Sequence, residues 1–101
     1  MDDLLSRVSA MEQAMTEASA ALTQLQQALT RYQAALPLLE QLEDYYQSPL
    51  WLADWDADHQ GLLPPGMPRG VLSQDGLYNL LCEQQTVRRQ LSALLAAQSD
   101  T

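Results

Sequence analysis

The sequence predicts an all-α protein in which a long kinked N-terminal helix packs antiparallel with a C-terminal helix, with a short tryptophan-containing helix and a proline-rich crossover between them. Three observations favour this fold. The 101 residues suit one small domain over residues 1–101. The apolar residues are mainly leucine, alanine and methionine, without phenylalanine or isoleucine, so helix formers outnumber strand formers. In the first half of the chain they recur at steps of three and four, which is the period of a helix.

The first helix is predicted over about residues 3–47, because an apolar seam continues through about five heptads. The seam consists of Leu4, Val8, Met11, Met15, Ala18, Leu22, Leu25, Leu29, Tyr32, Leu36 and Leu39. Pro37 removes a backbone donor and crowds the preceding turn, so the helix is expected to kink near this residue. A stripe without charged residues indicates a helix that packs against other helices.

The second helix is predicted over about residues 49–57. Ser48 followed by Pro49 is typical of a helix start, with a capping hydroxyl before a proline at the first helical position. Trp51 and Trp55 are four residues apart, so they share a face. Residues from about 58 to 72 contain three prolines and three glycines, which indicates an ordered loop crossing the surface.

The last helix is predicted over about residues 73–98. Ser73 is the expected N-cap, and Asp75 lies in the first turn, where the helix dipole favours a carboxylate. Leu72 and Leu77 occupy the two positions of a hydrophobic staple. Apolar residues then follow on one side as far as Leu95. The C-terminal helix is therefore expected to be amphipathic.

The formal charge of −8 excludes several classes of partner. All five basic residues are arginines that never form a row, so binding to nucleic acid or to anionic membranes is not expected. No apolar run reaches the roughly 18 residues of a membrane span, and Met1-Asp2-Asp3 lacks the basic residues of a secretory signal. Cys82 is the single cysteine, as suits a reducing compartment. The sequence therefore predicts a cytoplasmic protein, with an acidic mimic of nucleic acid as an alternative function.

The acidic segment 54–58 has the alternating aspartates with which a calcium-binding EF-hand loop opens. The required glycine would stand at position 59, whereas Gly61 comes two residues later, and Pro65 stands where the bidentate glutamate belongs. His59 is the only histidine, and one His with a distant Cys82 does not make a zinc site. We therefore predict no metal, no cofactor and no catalytic residue.

Polar and aromatic side chains are frequent between Tyr45 and Tyr78. Arg69 can pair with Asp44, Asp54, Asp56 or Asp58. We interpret the region as a corner that closes the helix core, and a ligand-binding site as the alternative. The candidate corner consists of Tyr45, Tyr46, Trp51, Trp55, Asp58, Arg69, Ser73, Asp75 and Tyr78. An enzyme or small-ligand site would use Tyr45, Trp51, Asp58, His59 and Arg69.

The order of these features resembles a known family. A heptad helix precedes LEDYY at 42–46, Ser48 and Trp51, and an acidic stretch then leads to Gly61, Leu63-Pro64 and RGVLSQDGLY at 69–78. This pattern resembles a family of small bacterial helical proteins catalogued as a domain of unknown function. The resemblance implies a small helical protein and supplies no catalytic residues. His59-Gln60 before Gly61 and the prolines at 65 and 68 depart from the family pattern, and they imply a stiffer loop.

The lengths of the helices predict an interaction surface. A helix over residues 3–47 is about 65 Å long and one over 73–98 about 38 Å, so the later helix covers only part of the seam. The early seam residues Leu4, Val8, Met11 and Met15 are then expected to face water. Either an antiparallel homodimer or a different protein partner would bury them. The sequence therefore favours a non-enzymatic interaction module, an adaptor or regulator that works through helical surfaces.

Overall fold

The structure, a computed structural model, describes residues 2–99. Three α-helices follow one another, with α1 over Asp2–Gln47, α2 over Pro49–His59 and α3 over Gly76–Ser99. A 3-10 turn over Gly70–Leu72 precedes α3, and residues 2–99 contain no strand. The predicted all-α fold is confirmed, with the long, the tryptophan-containing and the C-terminal helix in the expected order.

The chain divides into two compact units, with the boundary between Pro37 and Leu38. In the first unit, every residue of α1 from position 2 to position 31 is exposed, and Tyr32 is the first half-buried residue. Pro37 lies inside α1, which continues as one helix to Gln47. The helix therefore does not break at the proline.

The core of the second unit is small and lies at the start of α3. Leu72 and Leu77 are 6% and 4% exposed, and they are the only buried hydrophobic side chains in the described part of the chain. These are the two residues that the sequence places in a hydrophobic staple. Half-buried residues elsewhere in this unit are Leu39, Leu42, Tyr45 and Tyr46 in the last turns of α1, and Leu81, Gln84, Val87 and Leu91 along α3.

The start of α2 differs from the prediction at Ser48. Its hydroxyl makes no cap to α2 and donates instead to the Tyr45 carbonyl at 2.7 Å. The Ser48 N–H donates to the same carbonyl at 3.1 Å, so Ser48 closes the end of α1. The predicted role of Ser48 as the capping hydroxyl of α2 was wrong. Pro49 starts α2, and because proline has no backbone N–H, no acceptor is needed at this position. The helix ends at His59, two residues later than expected.

The start of α3 also differs from the prediction. Ser73 has extended backbone angles, and α3 begins at Gly76 because its first backbone hydrogen bond joins Asn79 N–H to the Asp75 carbonyl at 2.8 Å. Ser73 nevertheless acts as a cap, since its Oγ accepts the Gly76 N–H at 3.0 Å. α3 begins later than the predicted residue 73 because the 3-10 turn before it holds Gly70 and Ser73 in a separate tight bend.

Candidate functional site

Arg69 joins the loop to the end of α2. Its Nη1 forms an ion pair with Asp58 Oδ1, and its Nη2 donates to the carbonyls of Pro64 and Pro65, each at 3.2 Å. We call these contacts the Arg69 clasp. It contains the only ion pair among residues 2–99, and Asp58 is one of the four partners that the sequence allows. Because both terminal nitrogens are engaged within the chain, the clasp fixes the proline-rich loop against α2.

Replacing Arg69 by lysine is expected to lower the free energy of unfolding by about 1 kcal/mol. A single ammonium group cannot reproduce the planar fork that serves a carboxylate and two carbonyls at once. The value is kept low because one third of the Arg69 side chain is exposed and solvent screens the ion pair. Urea unfolding followed by circular dichroism measures the change. Arg88→Lys, at an exposed position of α3, is the control, and equal midpoints for the two variants would contradict the role of the clasp.

Tyr45 and Asp54 join the end of α1 to α2. The Tyr45 hydroxyl donates to Asp54 Oδ2 at 2.6 Å. Burial of Tyr45, together with this hydrogen bond and the negative charge of Asp54, raises the pKa of Tyr45 to about 12. The neutral phenol is therefore the form that this contact requires.

The raised pKa of Tyr45 predicts a loss of stability at alkaline pH. The folded chain binds the phenol proton more tightly than the unfolded chain, whose tyrosine has a pKa of 10.0. The contribution is therefore complete below pH 10 and is lost as the pH rises towards 12. No lysine titrates in this window, because the chain contains none. Unfolding free energies measured between pH 9 and about 12 should fall more steeply in the parent than in Tyr45→Phe, and parallel curves would contradict the contact.

The two tryptophans make different contacts, although both are half-buried. Trp51 Nε1 donates to the Val71 carbonyl at 3.0 Å, and its ring meets Tyr46 edge to face, with centroids 5.0 Å apart. Trp55 stacks on the His59 ring of its own helix, with centroids 3.8 Å apart. Trp51 therefore connects three segments of the chain, whereas the ring contact of Trp55 stays within α2.

The remaining corner residues lie at the start of α3. The Ser73 hydroxyl donates to the Gly70 carbonyl at 2.7 Å while it caps α3. The Asp75 side chain is exposed, and its carbonyl accepts the first hydrogen bond of the helix. Tyr78 is 55% exposed, and its hydrogen bond with Cys82 raises its pKa. Ser73 and Asp75 thus shape the beginning of the helix, and Tyr78 bonds along its surface.

A cavity of about 270 Å³ lies between the loop and the ends of α1 and α2. Its lining consists of Tyr45, Asp54, Ala57, Leu63, Met67, Pro68, Arg69, Val71 and Leu72. Three of these residues carry polar side-chain groups, and Tyr45, Asp54 and Arg69 all use them in bonds within the chain. His59 is not among the lining residues; its Nδ1 lies 3.0 Å from the Trp55 carbonyl, and it does not pair with Asp58. Elsewhere in residues 2–99, no three His, Cys, Asp or Glu side chains lie close enough together to hold a metal ion.

The early seam residues form an exposed apolar stripe on α1. Leu4, Val8, Met11 and Met15 are 50–61% exposed, and Leu22, Leu25 and Leu29 continue the stripe at 39–62%. We call these seven residues the α1 stripe. The sequence limits the expected exposed surface to the first four residues. The structure extends it to Leu29, where the half-buried Tyr32 interrupts the run, and Leu36 beyond it is exposed again at 42%.

Comparison with known proteins identifies the family. No helix within residues 2–99 combines the length and apolar content needed to cross a bilayer. No curated protein and no solved structure matches the chain. The family model described as "Domain of unknown function (DUF4298)" matches residues 8–93. Both the seam and the corner lie largely within this match, as the resemblance predicts, and the chain therefore belongs to the domain of unknown function family DUF4298.

Proposed function

We propose that the protein is a non-enzymatic interaction module that binds a partner helix through the α1 stripe. The observation that supports this function is the exposure of seven large apolar side chains at heptad positions. A helical stripe at this spacing is the surface by which helices pack in coiled coils. An adaptor or regulator needs such a surface and does not need a reactive site.

The amount of exposed apolar surface supports the same function. Full burial of one aliphatic side chain stabilises by about 1.5–3 kcal/mol, so covering seven that are roughly half exposed contributes on the order of 5–10 kcal/mol before the cost of association. Large continuous apolar patches on proteins in water mark interaction surfaces. Covering the stripe therefore offers a substantial gain in binding free energy.

The flanks of the stripe also suit a helical partner. Ala14, Ala21 and Ala28 precede three of the seam residues by one position, and each adds only a methyl group beside the seam. Small flanking side chains allow two helix backbones to approach closely. The outer face of α1 carries Gln13, Ala20 and Gln27, which offer a partner little apolar surface. The apolar surface of this part of α1 thus lies on one side of the helix.

In this proposal, the role of the candidate corner is structural. The Arg69 clasp, the Tyr45 hydroxyl and the Trp51 indole are bonded within the second unit. These bonds hold α2 and the loop in place, and they leave no polar side chain of the cavity lining without a partner. We infer a cytoplasmic location from the single free Cys82, which suits a reducing compartment.

Site-specific photo-crosslinking in the source cell tests the function. A photoreactive amino acid at Met11 is expected to give an adduct of defined mass, because this residue lies in the stripe. The same group at Ala20, on the outer face of the same helix, is the control and should give none. Mass spectrometry identifies the cross-linked chain. Equal adducts at both positions, or none at Met11, would contradict the proposed function.

A further inference from the structure

We propose that the cavity between the loop and the ends of α1 and α2 binds a free organic amine, with its ammonium group at Asp54 and its apolar body against Leu72. The inference does not depend on the proposed function, because every residue of the cavity lining belongs to the second unit and none to the α1 stripe. It follows from the charge balance of the lining, the polarity of the cavity and its volume.

The charges of the lining leave one carboxylate without a cation. Asp54 and Arg69 are the two lining residues that carry a charge. Asp58 balances the Arg69 guanidinium in the only ion pair among residues 2–99. The partner of Asp54 is the Tyr45 hydroxyl, a neutral group that leaves the negative charge in place. A ligand with a single positive charge would therefore complete the charge balance of the cavity.

The hydrogen-bonding groups beside Asp54 suit a donor. The Tyr45 hydroxyl gives its only proton to Asp54 Oδ2 at 2.6 Å, and burial raises the pKa of Tyr45 to about 12, so the phenol stays protonated near neutral pH. Asp54 Oδ1 makes no hydrogen bond within the described residues, and the Tyr45 oxygen keeps its lone pairs. An ammonium group has three donors and no acceptor, so it matches these two oxygens. A carboxylate ligand would be repelled by Asp54.

The exposure of the lining residues sets the orientation of the ligand. Asp54 is exposed, whereas Leu72 is 6% exposed, so the charged end of the cavity is open to solvent and the closed end is apolar. The other apolar residues of the lining are Ala57, Leu63, Met67, Pro68 and Val71. A lysine side chain of another protein would enter with its ammonium group first and would bring the charge to the apolar end, which is costly. A free amine, which can place its apolar body inside, is the ligand that this polarity favours.

The volume and the walls of the cavity suit a small ligand. The cavity of about 270 Å³ corresponds to about nine water molecules at roughly 30 Å³ each, so an amine of about seven non-hydrogen atoms fits. The Arg69 clasp holds the loop against α2, and the rings of Pro64 and Pro65 restrict its backbone. Binding therefore requires little ordering of the loop. Met67, which is 51% exposed, supplies an adaptable side chain to the wall.

Titration of the isotope-labelled chain, followed by nuclear magnetic resonance, tests the site. The probe is hexylammonium, with hexan-1-ol as a neutral ligand of the same length and hexanoate as an anionic one. The amide signals of Ala57 and Leu72 should shift saturably with hexylammonium, with a dissociation constant on the order of 1 mM for a ligand of this size. Hexan-1-ol should bind about three- to fivefold more weakly, as expected for the loss of one exposed ion pair, and hexanoate more weakly still. Salt at about 0.15 M suppresses general attraction to the acidic chain.

Two pairs of variants separate the charge from the cavity. Asp54→Asn should weaken hexylammonium about three- to fivefold, and Asp56→Asn, which makes the same charge change at an exposed residue outside the lining, should not. Asparagine still accepts the Tyr45 hydroxyl, and circular dichroism confirms that each variant is folded. Ala57→Leu should fill the cavity and abolish the binding of both hexylammonium and hexan-1-ol. Ala53→Leu, at an exposed position of the same helix, is its control.

Four results would overturn the inference. They are equal affinities for hexylammonium in Asp54→Asn and Asp56→Asn, hexanoate binding as tight as hexylammonium binding, unchanged binding in Ala57→Leu, and no saturable shift at Ala57 up to about 20 mM, well above a millimolar dissociation constant. None of these measurements involves the α1 stripe. Failure of the inference therefore leaves the proposed function untouched, and failure of the photo-crosslinking at Met11 leaves the amine site untouched.

Discussion

Replacement of Trp51 by alanine is expected to lower the free energy of unfolding by about 2–4 kcal/mol. The change removes the ring contact with Tyr46 and leaves the Val71 carbonyl without its donor. The value lies below that of a fully buried tryptophan because Trp51 is half-buried. The described residues include only two buried hydrophobic side chains, so few other core contacts remain to stabilise the fold when the Trp51 contacts are removed. Urea unfolding monitored by circular dichroism measures the effect.

Two controls separate the contributions of Trp51. Trp51→Phe keeps an aromatic ring near Tyr46 but removes the indole donor, so about 1 kcal/mol of destabilisation is expected. Leu52→Ala changes a neighbour on α2 that is 56% exposed, and its effect should be below about 0.5 kcal/mol. If Trp51→Ala unfolded at the same urea concentration as the parent, the structural role of the corner would be wrong, and Trp51 would be free to act in binding.

The combined change Met11→Glu and Met15→Glu is expected to weaken association through the α1 stripe at least about 100-fold. Two carboxylates per chain would enter the apolar seam of that interface, where ions are costly to bury. Glutamate forms helix about as well as methionine, so the substitutions themselves do not disfavour the helical conformation of α1. Light scattering over a concentration series measures the dissociation constant. If the partner is a second copy of the chain, the parent should show twice the chain mass of 11.2 kDa, and the variant the chain mass alone.

A matched variant tests whether position rather than charge causes this loss. Ala20→Glu with Gln24→Glu adds the same two charges at the same spacing, on the face of α1 that does not carry the stripe. This variant should associate within a few-fold of the parent. Equal weakening in both variants would attribute the effect to net charge. A dimer that persisted in Met11→Glu with Met15→Glu would place the interface elsewhere.

Periodicity was the most reliable guide to the fold. The apolar seam predicts α1 to end at about residue 47, and α1 does end at Gln47, because a repeating pattern over many turns averages out local exceptions. Single capping residues were less reliable. Ser48 and Ser73 are both of a residue type that is common at N-caps, yet only Ser73 caps the following helix. A hydroxyl can bond to a neighbouring carbonyl as well as to a helix amide, and the sequence does not distinguish the two.

The candidate corner could be predicted only as a group of residues. The sequence gives Arg69 four acidic partners, and the choice of Asp58 depends on the path by which the loop returns to the end of α2. Trp51 bonds to a backbone carbonyl, and so does the second terminal nitrogen of Arg69. Every residue has such a carbonyl, so no side-chain pattern reveals which one is used. The contact between Tyr45 and Asp54 was missed for a related reason, since it joins two helices across the turn at Ser48.

Hydrogen–deuterium exchange at two concentrations tests most directly whether a second copy of the chain covers the α1 stripe. Amides between Leu4 and Leu29 should be protected at about 100 µM and should lose this protection at about 0.1 µM, well below a micromolar dissociation constant. Isolated helices without packing partners are only marginally stable, so uncovering the stripe exposes these amides. Amides of α3 around Leu77 should be equally protected at both concentrations. Protection of residues 4–29 that did not change with concentration, or that was absent at 100 µM, would contradict self-association through the stripe.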